Sequence, residues 1–249
     1  MALPKITVVT ATFNSAQTLT DTLKSLRSQS YVNFEHVVVD GLSTDNTLDV
    51  VRDSGVQGAV VDSQRDQGIY DALNRGVGLA TGDVVGFLHS DDLFPDSDVL
   101  ARIACAFSDP TIEMCFGDLA YVGQEDAFRV VRRWKSGEFR SSRLKFGWMP
   151  PHPTFYVRRA LLRNYLFNLE YRISGDYDLM LRLLTREAAR AVYIPHELVH
   201  MRLGGASNQS LANILRKTKE DWRAIRSNRV GGVLTLASKN LRKVPQFLV

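Results

Sequence analysis

The chain of 249 residues holds only two cysteines, Cys105 and Cys115, both in apolar surroundings and without metal-site spacing. A disulfide framework is therefore not expected, and a reducing cytoplasm is the expected compartment. No apolar run nears the roughly 18 residues of a membrane-spanning helix, and the sequence as printed opens without a signal-peptide pattern. No P-loop and no G-x-G-x-x-G follows the first strand-like run; TATFNSAQT (residues 10–18) stands there instead. That argues against a kinase, an ATPase or a dehydrogenase. Internal repeats and low-complexity linkers are missing as well.

What is present is an ordinary globular balance, 45% hydrophobic and 23% charged residues, in a chain long enough for one large domain or a domain with a small appendage. The net charge of +4 is uneven: residues 216–249 carry nine Lys/Arg against two Asp/Glu, which leaves the remainder mildly acidic. An acidic body with a basic tail is the pattern to explain.

The first half alternates between two periods. ITVVTATF (residues 6–13) is a β-branched run suited to a buried parallel strand, and Leu19, Leu23 and Leu26 then fall at helical spacing. FEHVVVD, GAVVDS and DVVGFLHS read as further strands, separated by helical patterns at Leu48–Val51 and Ile69–Val77. This succession implies right-handed βαβ units and an α/β fold with a mostly parallel sheet covered on both faces. Beyond Pro95 come a helix through Val99, Leu100, Ile103 and Phe107, a strand EMCFGDLAYV, and a weakly periodic basic stretch from Gly123 to Trp148. A helix over residues 178–187, a late strand AVYIP and an amphipathic helix through Leu211, Ile214, Thr218, Trp222 and Ile225 complete the pattern. The expected organisation is one domain over residues 1–207, in two halves meeting near residue 95, with a basic extension over 208–249.

Ligands of open α/β sheets bind beyond the carboxyl ends of the strands. Acidic residues collect at three such ends: Asp40, then Asp62 with Asp66, then the adjacent pair Asp91-Asp92. Each alone can be explained as a turn or a helix cap. At one edge of one sheet they point to a cation-binding cleft. Hard carboxylate oxygens suit Mg²⁺ or Mn²⁺, which are normally held by one or two carboxylates and substrate phosphates. A metal with so few protein ligands implies a phosphate-bearing substrate.

Residues 6–47, the block DQGIYDALNRGVGLATGDVVGFLHSDD, and the later PPHPTFYVRRALL and ISGDYDLMLRLL together resemble family 2 inverting glycosyltransferases, which have the GT-A fold. The resemblance runs from about Ile6 to about Ser207 and is nearest to enzymes of bacterial exopolysaccharide, O-antigen and glycolipid synthesis. It implies that Thr10, Thr12 and Asn14 lie under the nucleotide, Asp40 near its base or ribose, and Asp66 at the donor pocket. It further implies that Asp91 contacts ribose or sugar, that Asp92 ligates the metal, and that Asp176 is the catalytic base. His152 and Asp178 fall on the acceptor side, and His200 is a candidate additional metal ligand. Two positions depart from the family's pattern: Gly41 replaces a second acid after Asp40, and Asp71 replaces an Arg before Asn74, with Arg75 a candidate replacement charge.

The expected reaction is transfer of a sugar from a nucleoside-diphosphate donor to a hydroxyl of a glycan or lipid-linked acceptor, by single displacement with inversion. A sugar-nucleotide pyrophosphorylase and a non-catalytic sugar-nucleotide sensor are the alternatives; the first lacks a glycine- and Lys/Arg-rich N-terminal loop. Gly204-Gly205-Ala206-Ser207 resembles a loop that closes over the donor. The basic tail reads either as a helix packing Trp222 on the domain or as a contact with an anionic membrane surface. Nucleic acid is not expected, since the basic residues lack interleaved aromatics and the cleft is acidic. Oligomeric state stays open, a homo-oligomer included.

Overall fold

A computed structural model describes residues 3–56, 58–127, 129–204 and 211–242. The first half is β1 (Ile6–Thr12), α1 (Ala16–Arg27), β2 (Phe34–Asp40), α2 (Thr47–Asp53), β3 (Val60–Ser63), α3 (Ile69–Leu79), β4 (Val84–Phe87) and α4 (Val99–Ala106). The second half is β5 (Met114–Val122), β6 (Val130–Trp134), two 3₁₀ turns at Ser141–Phe146 and His152–Thr154, β7 (Tyr156–Arg158), α5 (Arg159–Leu162), α6 (Gly175–Leu184) and β8 (Ala191–Arg202). Two helices follow, α7 (Leu211–Ser227) and α8 (Val233–Leu241).

One sheet runs through the molecule in the order β3-β2-β1-β4-β7-β5-β6, with β8 paired to β5. The first four strands are parallel, as are β5 and β8, whereas β7 runs antiparallel to both β4 and β5. Strand side chains alternate between faces, so β1 sends Ile6 and Val8 to one side and Val9 to the other. Val9 joins Val37, Val39, Leu73, Val77 and Phe87 under α3 and α6. Ile6 and Val8 pack with Leu26, Leu100, Ile103, Phe107 and Leu198 on the opposite face. Helix α3 can lie close to β1 because Gly76 bears no side chain: a Cβ there would stand 2.3 Å from Val9 Cγ1.

The structure departs from the sequence pattern at three useful places. Strand β4 ends at Phe87, so His89 and Ser90 leave the sheet instead of extending it. Helix α6 begins at Gly175, which puts Asp176 inside its first turn. Strand β8 runs on to Arg202, so His196 and His200 are strand residues. The extension is helical and docked: Ala224 and Ile225 of α7 are fully buried, and α8 lies against the 3₁₀ turn at Ser141–Phe146. Most of the Gly204–Ser207 loop and the boundary near residue 207 lie outside the described residues. No described helix is long and apolar enough to cross a membrane.

Candidate active site

Beyond the ends of β1 and β4 opens a cleft of about 1460 Å³, bordered by Ala11, His89, Ser90, Asp91, Tyr70, His152 and Asp176. The two halves of the fold meet there.

The loop after β4 is tied down on both sides. Thr18 and Thr22 of α1 donate their hydroxyls to the Ser90 carbonyl at 2.9 and 3.1 Å, and the Phe94 N–H donates to Ser25 Oγ. On the other side Leu93 and His200 exchange two main-chain hydrogen bonds, of 3.0 and 2.8 Å. These ties separate the acidic pair. Asp91 borders the cleft, while Asp92 is 1% exposed and does not border it. Neither carboxylate oxygen of Asp92 has a hydrogen-bond partner among the described residues. Burial, then repulsion from Asp91, pushes the Asp92 carboxyl well above the usual range, and Arg202 offsets only part of this.

An orphaned buried carboxylate beside a second one that faces the cleft suits a divalent cation completed by substrate phosphates. A closed protein cage is not present: no cluster of three His, Cys, Asp or Glu groups arranged for a metal occurs among the described residues. His200 does not border the cleft; its Nε2 lies 3.3 Å from Glu197 Oε2. Its contribution to the site is main-chain, through Leu93.

Asp176 stands in the first turn of α6, and three contacts fix the segment before it. The Tyr70 hydroxyl donates to the Ile173 carbonyl at 2.6 Å and accepts the Gly175 N–H at 2.9 Å. Glu220 of α7 accepts the N–H groups of Arg172, Ile173 and Ser174, the last two at 2.8 Å. A carboxylate at a helix N-terminus is electrostatically favourable, and here it comes from another helix. Burial and then the Asp176 charge push the Tyr70 phenol up.

Between the two carboxylates lie two histidines. His89 and His152 have ring centroids 5.6 Å apart, and His152 stacks on Phe87 at 5.5 Å. Burial pushes His152 down to about 4, against the pull of Asp176. Burial also lowers His89, opposed by both Asp91 and Asp176. Both rings are therefore neutral near pH 7, and His89 lies within electrostatic reach of both acids. The short β4 puts His89 in the cleft.

Other expected residues support the donor side from beneath. Thr10 is fully buried, with its hydroxyl 2.9 Å from His36 Nε2. Thr12 donates to Asp40 at 3.0 Å. Asp40 is 0% exposed and accepts from Ser43 and Ser63 as well. Burial opposes ionisation, but those hydrogen bonds outweigh it and hold Asp40 below its ordinary value. These three residues are buried at the strand ends, where their hydrogen bonds brace β1 against β2 and the loops after it. Asn14 is exposed, adopts φ 49°, and accepts the Thr44 N–H. Positive φ is tolerated by Asn more readily than by most residues. Asp66 is half-buried and accepts the Gly68 N–H at 2.9 Å.

The missing acid at Gly41 has a local cause. A Cβ on Gly41 would stand 2.7 Å from Asp66 Oδ2 and 3.4 Å from the Phe13 ring. Asp66 occupies the space that a second acidic side chain would need. Arg75 supplies no free charge there: it pairs with Asp62 at 3.0 Å and donates to the Gln64 carbonyl.

Asp178 is likewise committed. One oxygen accepts from Arg182 at 2.7 Å and the other from Asn228 at 3.0 Å. It does not border the cleft, and it ties α6 to α7. Sequence reasoning missed Tyr70, Glu220 and the buried triad Lys217–Asp221–Lys239, whose lysines lie 3.1 and 2.6 Å from Asp221 Oδ2. The i, i+4 spacing of Lys217 and Asp221 was visible; the partners from α6 and α8 were not.

A parallel nucleotide-binding-type half, a strand-end acidic pair and a second half that delivers a carboxylate across the cleft define the GT-A glycosyltransferase fold. The comparisons agree. Residues 7–168 match the model of Glycosyl transferase family 2, and the chain belongs to that family. It is 34% identical over 215 residues to the PGL/p-HBAD biosynthesis glycosyltransferase of Mycobacterium tuberculosis, covering 84% of this chain and 81% of that protein. An uncharacterized glycosyltransferase of the same organism is 32% identical, over 72% of this chain and 68% of its own length. In fold, the chain is similar to S. aureus TarS 1-349 in complex with UDP-GlcNAc, with TM-score 0.69, 21% identity, and coverage of 98% of this chain and 71% of that one. It spans 43% of a longer TarS chain. The mannosyltransferase PcManGT from Pyrobaculum calidifontis, in complex with GDP-Man and Mn²⁺, gives TM-score 0.68 at 20% identity, covering 98% and 73%.

Proposed function

We propose that the chain transfers a sugar, with inversion, from a nucleoside-diphosphate sugar to a hydroxyl of a glycan or lipid-linked acceptor in glycolipid or surface-polysaccharide assembly. The observation that carries this reading is the single cleft bordered by Asp91 from the first half and Asp176 from the second.

A direct displacement needs a proton acceptor on the face opposite the leaving group. Asp176 is a half-buried carboxylate at a helix N-terminus, held by Tyr70 and Glu220 through the segment before it. It takes the acceptor hydroxyl's proton as the oxygen bonds to the anomeric carbon and the nucleoside diphosphate departs. His89 and His152 border the same cleft as Asp91 and Asp176. Asp91 and Asp92 would hold a Mn²⁺ or Mg²⁺ ion together with the donor phosphates, and that ion would supply positive charge to the leaving diphosphate. Because only Asp91 borders the cleft, we assign it the cleft-side contact, with Asp92 supplying charge from the buried side. Asn14 and Asp66, the accessible members of the donor-side set, are the proposed nucleotide contacts.

Peripheral contact with an anionic membrane is part of the same reading. It is supported by the basic tail and by Val233, Leu234 and Leu241, each more than two-thirds exposed.

The decisive experiment pairs Asp176→Asn with the wild type in a screen of nucleotide sugars with Mn²⁺. Asp176→Asn retains donor binding and loses at least about 100-fold in turnover. Near-normal turnover in the variant rejects the assignment of the base, and a retained anomeric configuration in the product rejects inversion.

A further inference from the structure

The cleft is not acidic throughout. Nine Lys or Arg side chains border it against three carboxylates, and every one of the nine comes from residues 132–242. The described residues of the first half contribute Asp91, Ser90, His89, Tyr70 and apolar groups to the cleft, but no cation.

The cations gather where α7, α8 and the turn at residues 141–148 converge. Arg242 donates to the Phe146 carbonyl at 2.9 Å, and the hydroxyls of Thr235 and Ser238 bind the carbonyls of Lys145 and Phe146 at 2.7 Å. Gly147 lets α8 approach main chain to main chain, since a Cβ there would stand 2.5 Å from the Lys239 nitrogen. Lys239 is 5% exposed, with its ammonium 2.6 Å from Asp221 and 3.8 Å from the centre of the Tyr177 ring, next to Asp176. Lys217 shares the same carboxylate oxygen. Arg143 is lowered by burial and then by the charges of Arg242 and Arg140, which records like-charge crowding. Lys135 and Arg216 also border the cleft and make no ion pair among the described residues.

The six cations of this wall outnumber the two carboxylates beside them, Asp221 and Asp176, and two of the lysines are largely withdrawn from the water that would screen them. A solvated basic face would leave its ammonium groups exposed; Lys239 is not. The arrangement is relieved by an anion entering from the cleft. Exposed apolar side chains adjoin it: Ile214 and Leu215 precede Arg216, Leu241 precedes Arg242, and Phe146 supplies the carbonyl that holds Arg242.

We propose that the wall formed by Lys135, Arg143, Arg216, Lys217, Lys239 and Arg242 is an anion subsite for the acceptor, which carries a phosphate or diphosphate close to the hydroxyl that Asp176 deprotonates. This rests on the glycosyltransferase reading of the cleft. The donor's phosphates belong to the half containing Asp91, which presents no cation to the cleft and whose acidic pair calls for a metal. The acceptor's phosphate belongs to the half rich in Lys and Arg. The bond formed remains the one between acceptor oxygen and anomeric carbon; the acceptor's phosphate is a handle and does not react.

The test uses calorimetric titration of the full chain with its donor site filled by a saturating nucleoside diphosphate and Mn²⁺. Binding of that nucleoside diphosphate is itself the check on the glycosyltransferase reading, and its failure marks failure of that reading alone. Farnesyl diphosphate, farnesol and inorganic pyrophosphate are then titrated in turn. The expected result is a ternary complex with farnesyl diphosphate at least tenfold tighter than with farnesol. Arg216→Gln/Arg242→Gln, both at exposed positions, weakens farnesyl diphosphate at least fivefold, whereas Lys219→Gln, on α7 but outside the cleft, does not. Pyrophosphate binding as tightly as farnesyl diphosphate identifies a water-soluble phosphorylated glycan as the source; a gain from the chain identifies a lipid carrier. Equal binding of farnesol and farnesyl diphosphate overturns the proposal. So does competition between farnesyl diphosphate and the nucleoside diphosphate, because the wall would then serve the donor.

Discussion

Tyr70 and Gly175 are joined by a hydrogen bond of 2.9 Å from the Gly175 N–H to the phenol oxygen, across 105 residues of sequence. The same hydroxyl donates to Ile173, so one side chain on the donor half sets the start of the helix that carries Asp176. A Cβ on Gly175 would lie 2.7 Å from the Tyr70 ring, which is why a glycine stands before Asp176.

Removing that hydroxyl while keeping the ring is the cleanest probe of this link. Tyr70→Phe preserves the stacking on Phe167, whose ring centroid is 5.3 Å away. It leaves the Gly175 N–H without its partner, at a cost of about 1–3 kcal/mol. Expected is a fall in kcat of about tenfold with a smaller change in donor KM, since the donor's contacts lie on the other half. Steady-state kinetics with the identified donor decides it; a change confined to donor KM contradicts the positioning role.

Glu220 makes a parallel prediction for the C-terminal helices. Its carboxylate gathers three main-chain N–H groups just before α6. Glu220→Gln removes the charge and leaves one acceptor oxygen, so stability falls by about 1–2 kcal/mol and turnover falls with it. Urea unfolding alongside kcat measures both. Unchanged kcat with lowered stability would show that α7 supports the fold without tuning the base.

Asp91 and Asp92 are adjacent in sequence but differ in burial, and their substitutions should differ too. Asp91→Asn is expected to abolish Mn²⁺-dependent donor binding, measured by calorimetry. Asp92→Asn removes a buried charge without a hydrogen-bond partner, so the metal-free protein becomes more stable while Mn²⁺ affinity drops. A loss of stability in Asp92→Asn would mean that its charge is compensated in the metal-free state.

His36 supplies a pH dependence whose sign is fixed by its burial. It is fully buried, and burial pushes it from 6.5 down to about 4. Between pH 6.5 and 4 the unfolded chain binds more protons at this residue than the folded one. Its stabilising contribution is therefore complete above pH 6.5 and is lost as the pH falls toward 4. The amount is about 3 kcal/mol. His152, pushed down to the same range, acts in the same window. Chemical denaturation at pH 7.5 and 4.5 should show a smaller pH difference for His36→Gln than for the wild type.

The parallel half was legible because its signals are local. Strands of four to seven residues alternate with helices whose apolar faces are spaced at three and four, and the structure follows them closely from Ile6 to Ala106. Asp91 and Asp176 both stood out in the sequence through the family's motifs, and the fold brings both to one cavity. What stayed illegible depends on burial and on partners far along the chain. Nothing in HSDD tells that the first Asp meets solvent and the second does not; that follows from Thr18, Thr22 and His200 gripping the loop. The hydrogen bonds that hold Asp40 were illegible because Thr12, Ser43 and Ser63 come from three different segments. Helix α8 escaped notice because VGGVLTLASKNL mixes apolar and basic residues without a clear stripe, and its partner is a 3₁₀ turn 90 residues earlier.

The two main-chain bonds between Leu93 and His200 carry a consequence for how the protein is made. Translation delivers the acidic loop more than 100 residues before the strand that fastens it. Until β8 emerges from the ribosome and pairs with β5, that loop has only α1 to hold it. The nascent first half can form its parallel strands early, since their contacts are comparatively local, but the placing of the acidic loop waits for the end of synthesis. A half-made chain is therefore folded in part, and protease sites in the acidic loop should become protected only after β8 is complete.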